Sequence, residues 1–141
     1  MEEKLLEELY ASYKGDAFAG WLKGAVEKNG DLATAEMIID DYSFRHAGSL
    51  IPGSVGFSVN YWARVKREFD KLVCGHSQYV KEGEDYYVFG KFFSLATASA
   101  MASSMSSFVS IPTYILTPTI ALMLHSMMKI GRNAYCSTVK I

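Results

Sequence analysis

Thirty-seven consecutive residues, Phe92 to Met128, carry no Asp, Glu, Lys or Arg. A run of that kind has two places to go, the interior of a folded domain or a bilayer, because its apolar surface is driven out of water. It is too long for one element, and Pro112 divides it by removing a backbone donor and stopping a helix. Two helices are predicted, one over about 91–110 and one from near Thr117 or Pro118 to about Gly131. Pro118 suits the first turn of the second, where its missing N–H costs nothing.

For a bilayer, each half has about the right length, since a helix of ~20 residues spans ~30 Å of hydrocarbon. Lys91 precedes the first half and Lys129 and Arg132 follow the second, so both ends are expected on the cytosolic side. Ala98, Ala102, Ser106 and Ser110 recur every four residues, a small-residue stripe that lets helices approach closely. In this reading Leu95, Met101, Phe108, Ile115, Leu122 and Met127 face lipid. Tyr86, Tyr87, Lys91, Lys129 and Arg132 sit at the interface, with Tyr79, Phe89, Phe92 and Phe93 nearby. The pair broadly resembles, in architecture over about residues 88–131, the hydrophobic hairpin of colicin-type pore-formers.

The same residues also fit a buried pair. Twelve of the thirty-seven are Ser or Thr, and His125 and Pro118 lie in the second half, so neither segment inserts strongly. In a soluble bundle the other helices, or a second copy in a homo-oligomer, cover the pair. Ser hydroxyls then bond back to carbonyls one turn earlier, and Ser99, Ser103 and Ser107 reach water.

The rest of the chain has a different character. Residues 1–85 hold all fifteen acidic residues and ten basic ones; residues 86–141 hold no acid and four bases. That asymmetry divides the chain into an acidic amphipathic segment, 1–85, and an apolar helical hairpin with basic flanks, 86–141. Apolar residues at three- and four-residue spacing predict helices over roughly 2–14, 16–28, 31–47 and 58–74. Leu9, Trp21, Ile38, Trp62, Val65 and Phe69 are expected in the core, with Asp16 and Asp31 as N-caps. Asp40, Asp41 and Arg45 should face water, as should the charged residues of the fourth helix, Glu68, Asp70 and Lys71 among them. "HAGSLIPGSVGFS" (46–58) reads as a loop, and 77–90 as a short β-hairpin or a loop entering the next helix. The expected fold is all-α: four amphipathic helices, then a hairpin of two apolar ones.

Chemistry-bearing motifs are weak. "CGHSQY" (74–79) imitates a nucleophile elbow, but Tyr79 replaces the glycine of the tight turn and no acid follows Asp85 to orient His125. His46, His76, His125, Cys74 and Cys136 lack the ligand spacing of a zinc knuckle. Asp40–Asp41 and Glu82–Glu84–Asp85 read as solvated faces, and "PGSVGFS" lacks the lysine of a phosphate loop. Cys74 and Cys136, far apart in sequence, are expected as reduced thiols of a cytosolic protein, with a disulfide between them as the alternative. A net charge of −1 gives no basic surface for nucleic acid. No catalytic centre, cofactor or metal is expected. The chain should work by contact with a bilayer, as an anchored adaptor or membrane-perturbing effector, or else as a soluble module that binds protein.

Overall fold

Helices α1 (Glu2–Ser12), α2 (Ala17–Asn29), α3 (Asp31–Ala47), α4 (Tyr61–Val73), α5 (Leu95–Val109), α6 (Thr113–Ile130) and α7 (Arg132–Ser137) form the regular structure of residues 2–47, 61–74 and 94–138, those that the computed structural model describes. The all-α bundle forms as expected. Of the loop expected at 46–58, His46 and Ala47 instead end α3 and the rest lies outside the described residues, as does the β-hairpin expected at 77–90.

Local chemistry sets the joints. Gly30, at φ +87°, donates its N–H to the Val26 carbonyl and accepts from the Thr34 N–H, so one residue closes α2 and opens α3. Gly131, at φ +89°, does the same between α6 and α7, with Met127 and Tyr135. A side chain would strain both backbones, since positive φ is open chiefly to glycine. Asp16 caps α2 by accepting from the Phe18 N–H at 2.8 Å, and Ser94 caps α5 through the Thr97 N–H.

Between α5 and α6 the chain bends by 118°. Ser110 takes the left-handed conformation, and the Ser106 hydroxyl donates to the Ile111 carbonyl at 2.8 Å, holding the corner. The helix after the corner begins at Thr113, four residues earlier than expected, and takes Pro118 into its interior. The hydroxyls of Thr117 and Thr119 on either side donate to the carbonyls of Thr113 and Ile115. Pro118 has no N–H to offer the Tyr114 carbonyl, and Tyr114 sits exposed, where water can serve that carbonyl.

α6 is apolar nearly all round, and a helix of that kind must be covered on most sides. It packs against α1, α3, α5 and α7. Leu116 and the run Ile120 to Leu124 are fully buried, each large side chain contributing about 1.5–3 kcal/mol of transfer free energy. α5 turns Ala98, Met101, Ala102, Met105 and Val109 inward; of the expected small-residue stripe only Ala98 and Ala102 are buried, with Ser106 half-buried and Ser110 exposed at the corner. One continuous core joins Leu5, Leu9, Ile39 and Phe69 from the acidic segment to Met101, Ile120 and Leu124 from the apolar one.

Several expectations need correction. Trp21 is 43% exposed, because Leu22 and Ala25 are the positions of α2 that face the core. Trp62 is half-buried, while Leu9, Ile38, Val65 and Phe69 are core residues as expected. Glu68, Asp70 and Lys71 are buried where surface positions were expected. Lys71 pairs with Glu68 at 3.2 Å, and Asp70 accepts from Lys66 at 3.1 Å and from the Tyr135 hydroxyl. Burial, then the hydrogen bond to Asp70, pushes the Tyr135 phenol far above the ordinary tyrosine range. Cys74 and Cys136 are joined in a disulfide with Cα atoms 5.6 Å apart, not held as two thiols. α7 brings them together by packing on α4, with Tyr135 edge-on to Phe69.

Candidate functional site

Where the α1–α2 corner meets α3 and the first turns of α6, the surface opens into a groove of about 730 Å³. Its wall is aromatic. Tyr13 meets Phe18 edge-on at 4.8 Å, and Phe18 stacks on Trp21 at 5.7 Å. Tyr114 of α6 stands opposite, while Ile38, Ile115 and Pro118 make the floor. Met37 continues the apolar surface along α3. The rim is acidic, with Asp16, Asp40 and Asp41. Arg45 is the lone cation among the lining residues, and Asp41 already neutralises it at 3.0 Å. Burial, then Asp16, raises the Tyr13 phenol above its ordinary value, so it stays a neutral donor.

Helical periodicity explains the assembly. On α3, Met37, Asp41 and Phe44 fall on one outward side, and Ile38 and Ile39 turn inward. The corner at Gly15 swings Phe18 against Tyr13, and Trp21 stacks on Phe18 in turn.

A second polar cluster lies inside the bundle. His125 Nδ1 is 2.6 Å from Asp31 Oδ2, and Lys129 Nζ donates to the same oxygen at 3.1 Å. That oxygen accepts both bonds, so Nδ1 is the protonated ring nitrogen. Asp31 opens α3, where the helix dipole also favours its negative charge. Its Oδ1 and the Thr34 hydroxyl are buried with no hydrogen-bond partner among the described residues. Asp31 and His125 are 6% and 4% exposed, which closes the pair to a substrate. Among the described residues no hydroxyl or thiol is hydrogen-bonded to the ring. The geometry is that of a clamp holding α6 against the α2–α3 joint. Asp31→Ala and His125→Ala should therefore be non-additive, with a coupling of about 1–3 kcal/mol in a urea double-mutant cycle. Simple additivity would deny the clamp.

No family model, curated protein or solved structure matches the chain.

The residues singled out from the sequence disperse. Of those assigned to lipid, Met101, Leu122 and Met127 are buried, Leu95 and Ile115 are half-buried, and Phe108 is 50% exposed. Ser99, Ser103 and Ser107 are exposed. No single described helix is long and apolar enough to cross a membrane; α5 and α6 together, as a bent pair, reach the required length and composition. Lys129 is half-exposed and bonded to Asp31. Tyr86, Tyr87 and Lys91, with His76, Ser77 and the 82–85 carboxylates, lie outside the described residues, as do the side chains of His46 and Arg132. Among the described residues no three His, Cys, Asp or Glu side chains converge as metal ligands.

The groove and the clamp were both missed. Asp31 stands 94 residues from His125, and the N-cap role expected for it accounted for it locally; in the structure Gly30 precedes α3 and the Asp31 carboxylate turns to His125 and Lys129 instead. The signal was His125 itself: a polar ring in an uncharged helix requires a buried partner.

Proposed function

We propose that this chain is a non-enzymatic helical interaction module, folded in water, with the apolar pair α5–α6 as its core and the α2–α3–α6 groove as its contact surface. The observation that carries this reading is the burial of α6. Leu116 and Ile120 to Leu124 are covered by helices that a bilayer would have to strip away. Stripping them would also take His125 into hydrocarbon without the Asp31 carboxylate, where an unpaired polar group costs several kcal/mol. The exposed serines of α5 support the same reading, because a helix that keeps Ser99, Ser103 and Ser107 in water has a solvent face. The alternative, insertion of residues 89–131 into a bilayer with 1–85 left outside, draws on the length and composition of the bent pair. Fractionation of the expressed full-length chain tests the choice. The module belongs in the detergent-free supernatant; retention in a carbonate-washed membrane pellet would establish the alternative.

A further inference from the structure

The groove carries chemistry beyond a general capacity for contact. Its apolar surface is left open to solvent, with Trp21 and Met37 about two-fifths exposed and Tyr114 more so. Large apolar side chains gathered at one place on a surface mark a binding site more often than single exposed ones do. Its charge is one-sided. Asp40 and Asp16 have no cationic side chain beside them in the groove lining, and the single guanidinium is spent on Asp41. Its shape is extended. Along α3 the lining runs from Met37 to Arg45, eight residues or about 12 Å, just over two helical turns, past Asp40 and Asp41.

From these features we infer that the groove binds a short basic amphipathic helix of a partner protein. Its apolar residues would seat on Trp21, Met37 and Tyr114, and its lysines or arginines would meet Asp16 and Asp40. A helix presents apolar anchors every three or four residues, which matches a two-turn strip. Its flanking cations find carboxylates along the rim and aromatic faces in the wall, where cation–π contact adds to the attraction. A small organic cation would use one carboxylate and one ring and leave the rest of the strip wet. An anionic bilayer or a nucleic acid would meet the rim with like charge. The inference rests on the reading of the chain as a contact module in water, and its test is separate from the fractionation.

Full-length protein in plain buffer is titrated with a helical peptide of about 15 residues, long enough to hold some helix alone, carrying leucines three and four apart and lysines on the flanks. A second peptide has glutamate in place of every lysine. Binding is read by calorimetry and by Trp21 fluorescence in a Trp62→Phe background. The lysine peptide should bind with a dissociation constant in the micromolar range, and the glutamate peptide at least tenfold more weakly. Asp40→Asn should weaken the lysine peptide about fivefold and flatten its salt dependence. Met37→Glu, at an exposed position, should weaken it as well, by breaking the apolar strip. Glu36→Gln, exposed on the same helix but outside the groove, should change nothing. Equal binding of both peptides, binding of neither, or an equal loss in Glu36→Gln would overturn the inference. Self-association that Met37→Glu abolishes would overturn it too, by giving the groove to a second copy. A chain that stays in the detergent-free supernatant yet ignores the lysine peptide refutes the groove assignment alone.

Discussion

Leu122→Ala should lower the stability of the fold by about 3 kcal/mol, the cost of emptying a closed site in a packed core, and lower the thermal midpoint by roughly 10 °C. Leu122 is fully buried within α6, which is itself covered by α1, α3, α5 and α7. The cavity cannot collapse easily, because its lining belongs to several helices. On a lipid-facing surface the same truncation would give up only on the order of 0.5 kcal/mol of insertion free energy. Phe108→Ala is the matched control. That ring is half-exposed, so its truncation should cost under about 1 kcal/mol. Melting curves of the two variants in detergent-free buffer provide the check. Equal, small shifts would remove Leu122 from the core.

Loss of the Cys74–Cys136 bond should cost about 4 kcal/mol, the chain-entropy value for a closed loop of this size, given a sequence separation of 62. The bond ties the end of α4 to α7, a helix of six residues. A helix that short has no stability of its own, because nucleation is unfavourable and few bonds follow it. α7 therefore depends on the disulfide and on Tyr135, which packs edge-on against Phe69 and donates to Asp70. Urea unfolding of the native protein, of the protein in reductant and of Cys74→Ala/Cys136→Ala measures the loss. The native protein should also titrate with no free thiol. One or more free thiols in native protein, or an unchanged urea midpoint in reductant, would contradict the assignment.

What could be read beforehand differed from helix to helix, for physical reasons. α4 was legible because a buried stripe of Val65, Phe69, Leu72 and Val73 alternates with charge, and that contrast fixes both the period and the inward face. The same rule misplaced Glu68, Asp70 and Lys71, since a charged side chain marks a solvent face only until another element packs over it. Trp21 was misread for a related reason. Phe18, Trp21, Leu22 and Val26 establish that α2 is helical, but not which part of a wide apolar arc meets the core. The arc is wider than the core contact, and the excess became the groove wall. The α5–α6 corner shifted because Pro118 invited a helix start that Pro112 had already supplied. The clamp between Asp31 and His125 joins distant segments, as does the disulfide. Pairings of that kind are set by packing, on which local periodicity is silent. Composition was equally silent between the two fates of residues 92–128, since a buried core helix and a membrane helix are alike in apolar content.

The claim that α5–α6 is the core of a fold that lives in water is tested most directly by the state of the full-length chain once all detergent is withheld. After lysis in plain buffer, the protein should stay in the supernatant through ultracentrifugation. It should then elute from a sizing column as a single species whose scattering mass is 15.7 kDa or a small multiple of it. The account predicts that added anionic or neutral vesicles leave that elution unchanged. Recovery only with detergent, or transfer of the protein to the vesicles, would contradict it.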